Sequence, residues 1–151
     1  MLISAFSSVY TKFKLTFYSK IFSSLEENKE SLTTIETCCV ETIYALKRPT
    51  INEFSTFLKI SPPNAAYKIN RLVRKGYIKK VQSTTDKREY FLEVTEKFLK
   101  CYNFSSDYVE TIVERITNRF PEKDLQKFEY MLNVIADELM TEVKLDSSSN
   151  D

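Results

Sequence analysis

The sequence contains no histidine and no tryptophan, and only one of its 151 residues is glycine. Histidine is the commonest general base in enzymes and the commonest zinc ligand, so its absence argues against most hydrolytic and metal-dependent sites. Loops that cradle phosphate groups need several glycines, which this chain does not have. We therefore expect neither an enzyme nor a protein that holds a metal or another cofactor.

Long apolar runs are also missing, since no stretch approaches the ~18 residues needed to cross a bilayer. The first ten residues, MLISAFSSVY, lack the basic region that opens a signal peptide. A content of 42% hydrophobic and 28% charged residues is ordinary for a soluble protein. We expect one domain with helical extensions, located in the cytoplasm and away from membranes.

Cysteine is scarce, with three residues in the whole chain. Cys38 and Cys39 are adjacent on a predicted helix and Cys101 is alone, a spacing that fits neither a zinc site nor a secreted disulfide framework. We interpret them as small buried apolar residues in preference to redox sensors.

Residues 61–75 carry the signals of a capped amphipathic helix. Ser61 is a favourable N-cap residue, and Pro62 suits the first turn, where its missing amide hydrogen does no harm. Gly76 follows at the position where helices commonly end in a left-handed turn. Apolar residues at intervals of three and four predict one buried side, formed by Ala65, Ile69, Leu72 and Val73.

The opposite side of this helix carries amide, hydroxyl and cationic groups, on Asn64, Tyr67, Lys68, Arg71 and Lys75. Such a stripe is either an ordinary solvated surface or a reader of base edges in a DNA major groove. Charge favours the reader, because residues 67–89 hold eight cations and two acidic residues, a net of +6 in a chain of net charge +1. Positive charge concentrated in one segment indicates a polyanionic partner.

Two capping boxes and a hairpin surround this helix. Thr33 with Glu36, and Thr50 with Glu53, have the capping-box spacing and predict two preceding helices. After Gly76, residues 77–82 and 89–94 contain strand-forming side chains, and the polar turn between them ends in cations. The predicted unit is helix, turn, helix and a β-hairpin with a charged tip.

The segment TINEFSTFLKISPPNAAYKINRLVRKGYIKKV, followed by TTDKREYFLEVTEKF, resembles the winged helix-turn-helix of the MarR (multiple-antibiotic-resistance regulator) family of bacterial transcription factors. The family's wing has an Asp-x-Arg motif before a strand that ends near a Leu-Thr pair, matched here by Asp86-Lys87-Arg88 and Val94-Thr95. The resemblance implies that Arg88 enters the minor groove and that Asp86 orients it. The DNA-binding residues expected from the helix and the resemblance are Ser61, Pro62, Pro63, Asn64, Tyr67, Lys68, Arg71, Lys75, Asp86, Lys87 and Arg88. Arg74 and Lys79 are expected to lie off the reading stripe and to contribute sequence-independent affinity.

Apolar residues recur every three or four positions in both flanking regions. They are Ile3, Phe6, Val9, Tyr10, Phe13, Phe17 and Ile21 at the start, and Leu125, Phe128, Leu132, Ile135 and Leu139 near the end. Thr95 is expected to cap a helix, and Pro121 to lie in the first turn of the last one. These helices pack either within the chain or in a dimer interface, and the resemblance favours the dimer.

The sequence therefore predicts a mostly α protein with a small β-hairpin wing. Residues 1–30 are expected to form an N-terminal dimerisation helix, 31–95 the winged helix-turn-helix, 96–145 C-terminal dimerisation helices and 146–151 a flexible tail. A homodimer places two reading helices in successive major grooves of double-stranded DNA, so the target should be a pseudo-palindrome.

The resemblance also implies a repressor that is released by a small aromatic or acyl effector. The candidate pocket residues are Phe13, Phe17, Tyr44, Phe98 and Tyr102. Aromatic residues at helical spacing more often form a core than line a pocket. Two other functions stay open, because winged helices also serve as protein-interaction modules or as nonspecific architectural DNA binders.

Overall fold

The computed structural model describes residues 1–27, 32–102 and 104–144, with the backbone alone at 24–27, 101, 102, 104 and 105. The expected tail and the side chains of Cys101 and Tyr102 lie outside the described part. In chain order the elements are α1 (Leu2–Glu27), α2 (Thr34–Ala45), α3 (Ile51–Leu58), α4 (Pro62–Arg74), β1 (Ile78–Gln82), β2 (Tyr90–Val94), α5 (Glu96–Tyr102), α6 (Phe104–Arg119) and α7 (Glu122–Val134). The chain divides into two compact units, Met1–Phe104 and Ser105–Asp151. The predicted fold class, mostly helical with a two-stranded hairpin, is confirmed.

Both predicted capping boxes are present. At the start of α2 the Thr33 hydroxyl accepts from the amide of Glu36 at 3.2 Å, and the Glu36 carboxylate accepts from the amide of Thr33 at 2.8 Å. At the start of α3, Thr50 and Glu53 exchange the equivalent bonds at 3.1 and 2.7 Å. Each pair satisfies amide groups that a helix leaves without partners, and so fixes where the helix begins.

The turn between α3 and α4 is held by one buried side chain. Lys59 ends α3 in the left-handed region with φ of 54°. The buried hydroxyl of Ser55 donates to the carbonyl of Ile60 at 2.9 Å, which satisfies a backbone group that the turn would otherwise leave unpaired. The turn therefore has a defined geometry, and α4 begins at a fixed place relative to α3.

Gly76 closes α4 as the sequence predicts. Its φ is +79°, and its amide donates to the carbonyl of Val73 at 3.0 Å. The amide of Tyr77 donates to the carbonyl of Leu72 at 3.0 Å, which completes a Schellman motif. The reversal turns the chain directly into β1.

The hairpin pairs antiparallel, with Ile78 opposite Val94 and Gln82 opposite Tyr90. Each strand is one residue shorter than predicted. The amide of Leu92 donates to the carbonyl of Pro49 at 2.8 Å, and an isolated bridge joins Thr50 to Phe91. The chain that leads into α3 is thus bonded to β2 by this bridge and by the Leu92 amide, so the hairpin is attached to the helix-turn-helix through its backbone.

One core holds these elements together. It consists of Leu32, Cys39, Val40, Ile43, Phe54, Ala65, Ile69, Leu72, Tyr77, Ile78, Leu92 and Phe98. The predicted buried side of α4 is confirmed at Ala65, Ile69 and Leu72, while Val73 is partly buried. Burial of such side chains stabilises the fold by ~1.5–3 kcal/mol each. The core fixes which side of α4 faces outward.

Cys38 is exposed, so the expectation that the adjacent cysteines are both buried is wrong for this residue. Successive helical residues point about 100° apart, and only Cys39 faces the core. Thr95 stands directly before α5, as expected of a cap, but its hydroxyl donates to the carbonyl of Gly76 at 2.6 Å.

The first helix is covered along only part of its length. Ile21 is buried, whereas Ile3, Phe6, Val9 and Tyr10 are all more than half exposed. The α1 helix contacts α5. Among the described residues no helix is both long and apolar enough to cross a membrane.

The second unit contains most of α6, all of α7 and a π-helical turn at Ile135–Leu139 that continues α7. Pro121 was expected in the first turn of α7 but occupies its N-cap, one position earlier. Its ψ of 153° is extended, so Pro121 itself is not part of the helix. Apolar side chains along these helices are exposed, among them Val113, Phe120, Phe128, Met131 and Leu132. Phe120 and Phe128 also line a cleft of about 390 Å³ with Ile116 and Leu125.

Candidate nucleic-acid interface

The first turn of α4 is exposed and capped. The hydroxyl of Ser61 accepts from the amide of Asn64 at 3.3 Å, as the sequence predicts. Pro62, Pro63 and Asn64 are exposed beside it. The positive end of the helix dipole and several polar groups therefore face solvent at one point, an arrangement that suits contact with a phosphate backbone.

The outward face of α4 is centred on Tyr67, whose side chain is 57% exposed. Arg74 is exposed on the same face, which contradicts the expectation that it lies off the reading stripe. It follows Tyr67 by seven residues, about two helical turns, so the two side chains must share a face. Helical periodicity alone was sufficient to place Arg74 there.

Lys68 is partly buried, and Asn70 is exposed. The amide oxygen of Asn70 accepts from the ammonium of Lys80 on β1 at 3.1 Å. This bond links α4 to β1 through side chains. No sequence pattern indicated the pair.

Arg71 and Lys75 lie on the α2 side of α4. The Nε of Arg71 is 3.1 Å from Oε1 of Glu36, and Nζ of Lys75 is 2.7 Å from Oε2 of the same carboxylate. Nη1 of Arg71 also donates to the hydroxyl of Tyr67 at 3.2 Å. Three of the five residues in the predicted reading stripe, Tyr67, Arg71 and Lys75, therefore have side chains that are bonded within the protein.

These contacts shift the pKa of Glu36, Arg71 and Tyr67 in the direction that favours the charged form of each side chain. Burial on its own would raise the pKa of Glu36, but bonds from Lys75 and from the Thr33 amide, with the charges of Lys75 and Arg71, hold it below its ordinary value. The bond with Tyr67, followed by the Glu36 charge, raises the pKa of Arg71. The same bond lowers the pKa of the Tyr67 hydroxyl.

The tip of the wing is ordered by hydrogen bonds within the turn. The buried hydroxyl of Ser83 accepts from the amides of Thr85 and Asp86, each at 3.3 Å. The side-chain amide of Gln82 donates to the carbonyl of Lys87 at 2.7 Å. The side chain of Arg88 is 95% exposed. The turn presents cations to solvent from a fixed backbone.

At the base of the wing, Glu93 joins two cations. Its carboxylate accepts from Nε of Arg48 at 2.6 Å and lies 3.0 Å from Nζ of Lys79. The bond from Lys79, and then that from Arg48, lowers the pKa of Glu93. Lys79 remains 60% exposed and belongs to the positive surface of the hairpin.

A cleft of about 360 Å³ lies between the wing and the helix-turn-helix. The starts of α3 and α4 contribute Thr50, Asn52, Ser55 and Pro62, and the wing contributes Asp86, Arg88, Glu89 and Tyr90. The structure thus brings two groups of predicted site residues to one surface, since Pro62 and Arg88 border the same space.

The candidate pocket aromatics divide into two kinds. Phe98 is fully buried in the core, with the ring of Tyr44 5.7 Å away. Phe13 and Phe17 are partly buried on α1, and Tyr44 is 39% exposed. Phe98 therefore acts as core, while the other three retain accessible ring surface.

Comparison with known proteins identifies related sequences and folds. Residues 32–90 match the model of the MarR family. The structure of FabT from Streptococcus pneumoniae in complex with DNA is similar over 91% of this chain and 94% of that one, with a TM-score of 0.60 and 19% identity. A mutant of MepR from a multidrug-resistant clinical isolate of S. aureus gives a TM-score of 0.64 at 14% identity over 92% and 97% of the two chains.

A further structure, MepR from S. aureus bound to ethidium bromide, gives a TM-score of 0.56 at 15% identity over 92% of this chain and 96% of that one. No curated protein matches the chain. At these identities the solved structures establish a shared fold.

Proposed function

We propose that this chain is a sequence-specific DNA-binding transcriptional regulator of the MarR family, whose model matches residues 32–90. The observation that carries the proposal is the joint placement of an exposed, capped helix and an exposed cationic wing beside one cleft. The family match supports the same assignment independently of that geometry.

In the proposed complex α4 enters the major groove and the wing enters the minor groove. Ser61, Pro62, Pro63 and Asn64 approach the phosphate backbone at the helix start, and Tyr67 and Arg71 face base edges. Asp86 and Lys87 support Arg88 at the wing tip. The complex of FabT with DNA supports docking by this fold.

We propose a homodimer, with dimerisation helices before residue 31 and after residue 95. The exposed apolar side chains of α1 support it, because four of them, at positions 3, 6, 9 and 10, are each at least 56% exposed. The apolar surface of α6 and α7 is a second such feature. Soluble proteins rarely leave large apolar patches in water unless a partner covers them.

A cytoplasmic repressor released by a small aromatic or acyl effector is the proposed mode of action. The accessible rings of Phe13, Phe17 and Tyr44 are the proposed effector contacts, with Phe98 as their buried support. The structure of MepR with ethidium bromide supports an aromatic ligand for this fold.

Titration of a fluorescent duplex at several salt concentrations tests the proposal. If the dimer neutralises ~6–10 phosphates, log Kd should change with log salt with a slope of about 5 to 9 in magnitude. A protein-interaction module should show weak binding and a shallow slope. An architectural binder should bind all duplexes equally well, including one that was selected from a random pool.

A further inference from the structure

The carboxylate of Glu36 is fixed in place before it meets any cation. It is the second partner of the α2 capping box, where Oε2 accepts from the amide of Thr33 at 2.8 Å. Its side chain is only 9% exposed. A carboxylate held by its own helix and screened from water cannot swing away, so groups that bind it must come to it.

Two cations of the reading helix do so. Arg71 bonds to Oε1 and Lys75 to Oε2, across separations of 35 and 39 residues in sequence. The side chain of Lys75 is only 29% exposed, whereas that of Arg88 on the wing is 95% exposed. The positive charge of α4 is therefore partly neutralised within the protein, whereas the guanidinium of Arg88 at the tip of the wing is exposed to solvent.

We propose that Glu36 is a specificity-determining residue of the DNA interface, which keeps Lys75 off the phosphate backbone and positions the guanidinium of Arg71 against Tyr67. This inference rests on the proposed DNA-binding function and adds to it. Glu36 acts as an internal substitute for a phosphate group.

The effect on recognition follows from the two kinds of DNA contact. Phosphate contacts strengthen binding to every sequence, whereas base contacts strengthen binding to the operator alone. By holding Lys75 away from the phosphates, Glu36 removes a contact that would strengthen binding to every sequence. By fixing the guanidinium of Arg71, it preserves a contact with base edges. Both effects raise the ratio of cognate to noncognate affinity.

Glu36→Gln tests the proposal, with Glu53→Gln as a matched control. Glutamine also functions at the third position of a capping box, so both variants should retain their helix starts. Each variant removes one negative charge from a capping box. Within the described residues Glu53 makes no ion pair, and its neighbour Asn52 lines the cleft that contains Arg88. The comparison therefore isolates the release of Arg71 and Lys75 from the general change in charge.

The measurement is fluorescence anisotropy with a duplex selected from a random pool and a scrambled duplex of the same composition. Relative to Glu53→Gln, Glu36→Gln should bind the scrambled duplex about fivefold more tightly, and its salt slope should be steeper by about 1 per released cation in each protomer. The ratio of cognate to scrambled affinity should fall. Adding Lys75→Gln to Glu36→Gln should remove the share of this gain that Lys75 supplies and reduce the slope by about 1 in each protomer.

Lys75→Gln alone provides a test that leaves the α2 capping box intact. It should leave both the affinity for scrambled DNA and the salt slope unchanged. If it weakens scrambled binding and reduces the slope by about 1, Lys75 is an ordinary phosphate contact and the inference is wrong.

The remaining outcomes separate this inference from the proposed function. If the parent binds DNA and the two glutamate variants show equal ratios, only the role of Glu36 is rejected. If neither the parent nor Glu36→Gln binds any duplex, the DNA-binding function and the role of Glu36 are both rejected.

Discussion

The backbone amide of Arg88 donates to Oδ1 of Asp86 at 2.9 Å, and Nε of the same arginine lies 3.7 Å from that oxygen. The carboxylate thus shapes the wing turn and attracts the base of the guanidinium. Because the side chain is 95% exposed, its charge is directed outward at little cost in burial. This relationship supports a DNA contact by Arg88 and a positioning role for Asp86.

Arg88→Ala should weaken binding to the selected duplex by ~1–3 kcal/mol and leave the melting temperature unchanged, because the side chain packs against little else. Lys100→Ala removes a cation that is 76% exposed on α5 and is the control for lost charge. Equal affinities for the parent and Arg88→Ala in a mobility-shift titration would remove the wing from the interface.

Local features of this fold were predictable because their causes are local. Capping boxes depend on residues three apart, and the left-handed conformation of Gly76 depends on the lack of a side chain. The buried side of α4 follows from helical spacing, which the core confirms at Ala65, Ile69 and Leu72. Arg74 was assigned wrongly even though the same spacing locates it.

The rest depended on contacts between distant segments. Glu36 was identified as a cap, but its ion pairs with Arg71 and Lys75 required the packing of α2 against α4. The charge pattern of the sequence predicted that Arg71 and Lys75 were both available to DNA. Likewise, the apolar spacing of α1 predicted a helix but not which part of it the chain covers, and hence not that Phe6 is exposed while Ile21 is buried.

Stability in acid should depend on Glu36. Its folded pKa lies below the ordinary value of 4.5, so the unfolded chain binds the proton more readily and the folded state is favoured above that pH. The stability that Glu36 contributes is lost as the pH falls from 4.5 through the pKa of Glu36 in the folded protein. In urea unfolding at pH 6 and pH 3.5, the parent should lose more stability than Glu36→Gln. Equal losses would mean that the carboxylate gains nothing from Lys75 and Arg71.

Glu41 should have the opposite effect on stability. It is partly buried on α2, and burial raises its pKa to about 7. Between 4.5 and about 7 the folded state retains the proton that the unfolded chain releases, so stability falls as the pH rises through this window. Glu41→Gln should stabilise the protein at pH 8 by on the order of 2–3 kcal/mol and should flatten the profile between pH 5 and pH 8.

The exposed residue Glu114 supplies the control for Glu41, since Glu114→Gln removes the same charge from a solvated position on α6. Urea unfolding of this variant should follow the profile of the parent. If the pH profile of Glu41→Gln also matches that of the parent, ionisation of the buried Glu41 carboxylate does not destabilise the folded state.

Phe6→Glu should disrupt the proposed dimer. Phe6 is 58% exposed on α1 and belongs to the apolar side that we assign to the interface. Placing a charge in an apolar contact costs several kcal/mol unless the charge finds a partner. Sedimentation equilibrium should show the variant as a monomer, with weaker operator binding. Ser8→Glu adds the same charge on the other side of α1 and should stay dimeric. Dimerisation of both variants alike would exclude this surface from the interface.

Selection from a random pool of duplexes, followed by sequencing of the bound fraction, tests the central claim most directly. A dimer that reads DNA through α4 and the wing should enrich an inverted repeat whose half-sites are separated by about 10–10.5 base pairs, centre to centre. Enrichment should be weaker with Arg88→Ala and unchanged with Lys100→Ala. A bound fraction without any enriched sequence, or with a single unrepeated site, would contradict the account.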